Sequence, residues 1–284
     1  MLQKLASGSA ALLLTGAVSA APVDLSTWTS DLHTGPAASG GATWTVQSGA
    51  NPNDSVFQST NGSPTVFYDS GTNAQGTSLA GSIAVETTSD DDFIGFVLGY
   101  DDNELNGTDT DFYLIDWKQR DQSISSFGFA PEGLAISHVT TPSRGLWGKD
   151  SASESGVAEI ARATNLGSTG WIDNQVYNFA LTFTSSLIEV FVDSVLELSV
   201  TAGEFGLSSF DDGAFGFYNY SQSRVRYAGI TEDVLPDPCL ANPGLPQCNP
   251  SNDPPGPTPV PAPAGILLLS LGLLGFRLKG HRLN

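Results

Sequence analysis

The feature that most constrains this chain is a long succession of short runs of alternating apolar and polar residues, bounded by Gly, Asn, Asp or Ser. Alternation with a period of two is typical of half-buried β-strands, and helical periodicity is scarce between residues 22 and 232. The sequence therefore predicts a nearly all-β fold. The predicted strands span residues 43–47, 56–58, 65–68, 79–87, 92–100, 111–119, 134–140, 145–147, 176–184, 187–192, 195–201, 214–219 and 224–230.

One predicted hairpin indicates how these strands bury a core. Residues 187–192 and 195–200 both alternate and are separated by only an Asp-Ser pair, a connection typical of a tight turn. Alternation puts Ile188 and Val190 on the same face. Strands of this kind bury their apolar faces by stacking two antiparallel sheets, so we predict a β-sandwich. Residues 159–165 are predicted as a short helix or helical turn.

The charge of the chain excludes one class of partner. The 284 residues contain 11 Lys and Arg against 30 Asp and Glu, a formal net charge of −19. Nucleic-acid binding through phosphates needs clustered basic residues, so no such partner is expected. The acidity suits cations, but it could equally serve only to keep an exported protein soluble.

The amino-terminal residues have the order of an export signal. Lys4 is followed by an apolar run over residues 12–18 and then by small residues that end at Ala20-Ala21 before Pro22. We predict a signal peptide over residues 1–21, cleaved near Ala20 or Ala21. The alternative is an ordinary buried helix.

After a sandwich predicted over residues 22–232, the composition shifts to Pro, Asn, Gly and Asp through residues 233–259. Such a segment cannot pack a core and is expected to be an extended stalk. It contains the only two cysteines, Cys239 and Cys248, which in an exported chain are predicted to form one small disulfide.

The last residues, 260–284, combine the pentapeptide Val-Pro-Ala-Pro-Ala, an apolar run over 265–276 and a basic end. This order resembles the PEP-CTERM class of bacterial sorting tails, which implies transient membrane insertion and processing by an exosortase, often beside exopolysaccharide or biofilm genes. Ala262 departs from the commonest form, which has Glu there. The alternative is a permanent membrane anchor. Either way the sandwich is expected outside the cytoplasmic membrane.

The most specific motif lies in residues 86–119, which contain DDDFIGFVLGY and, further on, FYLIDWKQ. It resembles the C-terminal domain of thrombospondins, and aromatic landmarks continue the likeness to about residue 230. The resemblance implies an antiparallel, concanavalin-like jelly-roll sandwich with calcium sites and a role in adhesion or glycan binding. The calcium-binding repeats that precede that domain in thrombospondins are missing, and the loop around residues 107–110 is enlarged.

The acidic residues of this motif cluster where strands begin and end. Ca²⁺ takes six to eight oxygen ligands, which loops at sheet ends can supply together, whereas a fully solvated loop also tolerates adjacent acids. The predicted calcium ligands are Asp90, Asp91, Asp92, Asp101, Asp102, Asn103, Asp109 and Asp111.

Alternation along residues 112–119 puts Asp116 and Lys118 on one face and Trp117 on the other. If Asp116 faces a core, it needs a partner such as Lys118, an Arg or a metal. If it faces an open concave sheet, Asp116 with Lys118 could hold a sugar. Trp117 and Trp147 are expected in the core, because large aromatic residues dominate sandwich cores.

The sequence contains little evidence of catalytic residues. Glycoside hydrolases need two carboxylates across a cleft, and the best pair, Glu189 and Asp193, is already explained by a solvent-facing strand position and a turn. We therefore predict a non-catalytic, calcium-binding adhesion or carbohydrate-binding module whose partner is an extracellular polysaccharide, a surface glycan or a surface protein. The alternative is a structural matrix protein without a specific glycan, and a glycosidase is a remote third.

Overall fold

The structure is a computed structural model that describes residues 20–35, 38, 40–142, 146–148 and 156–235. Seventeen strands lie in this part of the chain. They are β1 (Ala21–Pro22), β2 (Thr29–Leu32), β3 (Trp44–Gln47), β4 (Ser55–Gln58), β5 (Thr65–Tyr68), β6 (Thr77–Val85), β7 (Phe93–Tyr100), β8 (Phe112–Lys118), β9 (Gln122–Ile124), β10 (Gly128–Ala130), β11 (Gly133–Val139), β12 (Val157–Arg162), β13 (Val176–Phe183), β14 (Leu187–Val192), β15 (Val195–Thr201), β16 (Ala214–Tyr220) and β17 (Val225–Val234).

Two antiparallel sheets form the sandwich, which confirms the predicted fold class. The eight-stranded sheet has the order β15-β14-β13-β6-β17-β4-β3, with β1 added on β17. The seven-stranded sheet has the order β12-β11-β8-β7-β16-β5-β2, and β9 and β10 form a separate hairpin. Neighbours in the sheets are mostly not consecutive in the chain, which is the long-range connectivity of a jelly roll.

The seven-stranded sheet is buried on both faces. Phe96, Ile115 and Trp117 point into the core between the sheets. On its outer face Val97 and Leu114 belong to a second apolar cluster, defined here as the outer cluster. Segments distant in sequence cover that face, with the buried side chains Leu105, Ala130, Leu146 and Trp147. Trp117 and Trp147 are each 3% exposed, as predicted for core residues.

The predicted hairpin of β14 and β15 is confirmed. Asp193 and Ser194 have φ angles of 48° and 68°, the left-handed pair required by a two-residue turn that matches strand twist. Asp193 Oδ1 accepts a hydrogen bond from the backbone N–H of Asn178 at 2.8 Å, which attaches the turn to the neighbouring strand β13. Ile188 and Val190 are buried, while Glu189 lies on the opposite side of β14.

Two predicted elements are wrong. In place of the short helix or helical turn expected over residues 159–165, residues 157–162 form β12, an edge strand paired with β11, and 164–165 lie in the turn that follows. A helix of seven residues gains too little by itself, whereas the edge of β11 offers a ready set of backbone partners. Leu146 and Trp147, expected in a strand, lie in a turn that packs on the outer cluster. The short strands β1, β2, β9 and β10 were not predicted.

Several predicted segments lie outside the described residues: the signal peptide before Ala20, nearly all of the stalk with Cys239 and Cys248, and the tail over 260–284. Within the described ranges, no helix is long and apolar enough to cross a membrane. The last strand, β17, continues to Val234, two residues beyond the expected end of the sandwich.

Candidate metal and ligand site

The structure divides the eight predicted calcium ligands between the two ends of β7. Asp90, Asp91 and Asp92 precede β7, whereas the acids from Asp101 onward follow it. Because β8 runs antiparallel to β7, Asp111 lies at the second end. A strand of eight residues is roughly 25 Å long, too far for one ion to bridge. The prediction of ligands at sheet ends therefore describes two separate groups.

The first group, Asp90 to Asp92, is compact. Its three residues each offer a carboxylate oxygen, and these oxygens lie within 4.8 Å of one another. Asp90 is exposed, Asp91 is half-buried and Asp92 is only 3% exposed. The side-chain amide of Asn61 donates to Asp90. The indole of Trp171 donates to the Asp92 carbonyl at 3.1 Å, which holds the backbone of the group in place.

Lys118, at the end of β8, supplies a cation to this group. Its side chain is 0% exposed, and Nζ donates to Asp92 Oδ1 at 2.7 Å, to the Asp91 carbonyl at 3.0 Å and to Gln122 Oε1 at 2.9 Å. The ammonium also lies 5.2 Å and 5.0 Å from the ring centroids of Phe93 and Trp147. All three N–H donors of Lys118 are thus used. Its nearer carboxylate is that of Asp92, and the Asp91 carboxylate lies 3.6 Å from Nζ.

Burial raises the pKa of Asp92 to about 6, although the Lys118 ammonium beside it acts in the opposite direction. Desolvation of the carboxylate therefore outweighs the attraction of the ammonium. Asp90 and Asp91 retain the more accessible carboxylates. Their hard oxygen atoms are the donor type that Ca²⁺ selects, so the residues present fit that ion.

The second group is organised by Glu104, which the sequence analysis left out of the ligand set. Glu104 is 7% exposed, and its two carboxylate oxygens accept hydrogen bonds from the backbone of Asp101 at 2.8 Å and of Asp111 at 2.7 Å. One side chain thus joins both ends of the loop between β7 and β8. Because these partners are backbone N–H groups, no sequence pattern pointed to this role.

Other members of the second group contact protein partners as well. Asp102 Oδ1 accepts from the Ser70 hydroxyl at 2.6 Å, and the Asn103 N–H donates to Asp31 Oδ2 at 2.6 Å. Asp111 Oδ1 lies 2.5 Å from His138 Nε2. Asp109 is exposed. These contacts attach the loop to β2, to the turn that follows β5 and to β11.

The buried carboxyl of Glu104 predicts a pH dependence. Burial raises its pKa to about 7, above the ordinary value of 4.5, so folding favours the protonated form. The stabilisation of the folded state by this protonated carboxyl is fully present below about pH 4.5 and is lost as the pH rises through about 7. The free energy lost is on the order of 2–3 kcal/mol. In chelator-treated protein, thermal melts between pH 4.5 and 8 should show a fall in stability that Glu104→Gln reduces. Glu189→Gln on the outward side of β14 is the control, and equal slopes in all three proteins would contradict the prediction.

Asp116 and Lys118 share the outer face of the seven-stranded sheet, as alternation predicted. Asp116 is 2% exposed and lies between Gly95 and Ala135 on the neighbouring strands. The covering segments bury both side chains, so neither lies on an open face of the sheet. Alternation could assign the face, but the cover comes from residues far away in the chain.

Comparison with known proteins gives the family. Residues 41–234 match the thrombospondin C-terminal region family. The chain belongs to this family. Thrombospondin-2 of Bos taurus is 25% identical over 165 residues and that of Homo sapiens is 24% identical, each alignment covering 54% of this chain. The match covers 13% of the length of either relative.

Among solved structures, a carbohydrate-binding module, CBM66 from Bacillus subtilis, superposes with a TM-score of 0.48 at 11% identity, over 73% of this chain and 95% of that one.

In this thrombospondin C-terminal region, the residues that carried the resemblance are largely structural. Phe96 and Ile115 fill the core, and Lys118 joins the two halves of the motif through Asp92. The motif thus contributes to the core as well as to a candidate metal site.

Proposed function

We propose that this protein is an exported, non-catalytic, calcium-binding module for adhesion or carbohydrate binding at the cell surface or in an extracellular matrix or biofilm. The observation that carries the proposal is the group of three carboxylates, Asp90, Asp91 and Asp92, whose oxygens lie within 4.8 Å of one another. Adjacent carboxylates repel, and Lys118 supplies one positive charge to three of them, with Nζ 2.7 Å from Asp92 Oδ1 and 3.6 Å from Asp91 Oδ1. A divalent cation would compensate the rest.

Calcium would be held chiefly by Asp90 and Asp91, because Asp92 is buried and 2.7 Å from Lys118 Nζ, whereas Asp91 lies further from that ammonium, at 3.6 Å, and is partly exposed. Loop carbonyls and water would complete the six to eight oxygens that the ion needs. Bound calcium would supply charge neutralisation to the loop that precedes β7. Sugar hydroxyls donate hydrogen bonds readily to carboxylates. We therefore place the binding of an extracellular polysaccharide or surface glycan at Asp90 and Asp91 as well.

Melting experiments test the calcium proposal. With calcium at about 100 times its Kd, mass action should stabilise the exported protein by about 2.7 kcal/mol, which raises Tm by about 5–11 °C over the chelated protein. Asp90→Asn with Asp91→Asn should abolish the rise. Asp109→Asn, an exposed acid at the other end of β7, should leave it intact. An unchanged Tm in the unsubstituted protein, or a loss of the rise with Asp109→Asn alone, would count against this site.

A glycan array, read with calcium and with chelator, separates adhesion through sugars from the alternative of a structural matrix protein. Asp116 and Lys118 are 2% and 0% exposed, and this burial supports that alternative. Binding that needs calcium and is weakened by Asp90→Asn with Asp91→Asn would support the lectin-like role. An array without binding under either condition would leave the matrix role.

Export, the stalk disulfide Cys239–Cys248 and the tail over 260–284 belong to the same proposal. The tail is proposed to insert in the membrane, transiently or permanently, and to be a substrate of an exosortase-type enzyme that releases the sandwich to the surface. The mass of the carboxyl-terminal peptide in cells with and without that enzyme tests this. An identical, full-length terminus in both would contradict processing.

A further inference from the structure

The first strand of the sandwich begins at the predicted cleavage region. In β1, Ala21 is the direct partner of Glu232 on β17, and Pro22 is the partner of Thr231. The N–H of Val23 donates to the Ile230 carbonyl at 3.0 Å, which continues this pairing. The backbone at Ala21 is therefore held beside Glu232, while Ala20 is exposed.

A pocket of about 400 Å³ adjoins this pairing, and Ala21, Asp24, Asp69 and Glu232 are among its lining residues. No Lys, Arg or His lines it within the described part of the chain. Burial raises the pKa of Asp69 and of Glu232, and the charge of Asp69 raises that of Glu232 further. Asp24 is exposed and accepts hydrogen bonds from Ser26. Two partly buried carboxylates thus share a pocket whose lining contains no cation.

We propose that export cleaves the bond between Ala20 and Ala21, and that the new α-ammonium of Ala21 lies in this pocket as the cation opposite Glu232 and Asp69. The inference rests on the export proposed above. Hydrolysis adds one water across the amide, leaving a carboxylate on Ala20 and an ammonium on Ala21. Maturation thereby gives the sandwich a charge that the precursor lacks at this point.

Cleavage one bond later would not achieve this. It would remove Ala21, the partner of Glu232, and start the chain at Pro22, opposite the neutral side chain of Thr231. It would also shorten the two-residue strand β1 by half. The earlier bond keeps β1 whole and has the small residue Ala20 directly before it.

The intact mass of the protein exported by a secreting host tests the bond. A mature chain that begins at Ala21 supports the inference. A chain that begins at Pro22 or elsewhere overturns it while export stands. A chain that keeps Met1 and stays in the cytoplasm overturns export and the inference together, but not calcium binding, which the melts measure separately.

Melting of the exported protein tests the pocket. Inserting Gly-Ser between Ala20 and Ala21 moves the ammonium away while leaving β1 intact, and should lower Tm by about 2–4 °C at pH 7. The loss should vanish near pH 10, because the α-amino group, with an ordinary pKa of about 8, is then neutral. It should also vanish with Asp69→Asn and Glu232→Gln. An unchanged Tm at pH 7, or the same loss in that substituted background, would overturn the ion pair.

Discussion

Replacing Lys118 with methionine is expected to lower the free energy of unfolding by about 3–5 kcal/mol at neutral pH, because it leaves the buried carboxylate of Asp92 without its cation. Lys118 is 0% exposed and Asp92 is 3% exposed, so water cannot take the place of the ammonium. The Asp91 carbonyl and Gln122 Oε1 lose their donor in the same step. Urea unfolding followed by circular dichroism measures the loss.

Arg120→Met is the matched control, because it removes a positive charge two residues further along at an exposed position. Its effect should remain within about 0.5 kcal/mol. Adding Asp92→Asn to Lys118→Met should recover part of the stability, since an amide costs less to bury than a carboxylate. If Lys118→Met were no more harmful than Arg120→Met, the ion pair would not hold the motif together.

The substitution Gly95→Ala is expected to cost about 4 kcal/mol or more, through steric conflict in the middle of a sheet. Gly95 has a φ of +156°, and a Cβ there would lie 2.0 Å from the Ile115 carbonyl oxygen of β8. That oxygen is backbone in the paired strand and cannot rotate away. Relief requires β7 and β8 to separate, which would disturb Asp116 directly opposite. Soluble yield and thermal melts report the effect.

Gly71→Ala separates steric conflict from backbone strain. Gly71 also has a positive φ, +76°, but a Cβ there would meet nothing within 4 Å. Only the left-handed conformation would then be penalised, at about 1–2 kcal/mol. Equal costs at the two glycines would mean that β8 yields to the new methyl group, contrary to the close approach described here.

Much of the sandwich followed from residue order. Alternation assigned Asp116 and Lys118 to one face of β8 and Trp117 to the other, and the structure confirms both. The Asp-Ser turn was likewise predictable from two residues. The strand β12 was not, because its residues favour a helix locally and become a strand only beside β11.

The candidate site was less predictable. Acidic residues near strand ends were recognised, but assigning them to one end or the other required the antiparallel register of β7 and β8. Glu104 was overlooked as an organiser because its partners are backbone N–H groups, which leave no mark in the sequence.

The class of fold, the faces of most strands and the acidic character of the molecule follow from residue order alone, because a period of two and a residue's charge are local properties. Three contacts arise only in the folded chain: Lys118 pairs with Asp92, the outer cluster closes over Asp116, and β1 meets β17 at Glu232. Each of these depends on residues far apart in the chain. The free energy of such a contact depends on which groups folding brings together, and no local pattern records that.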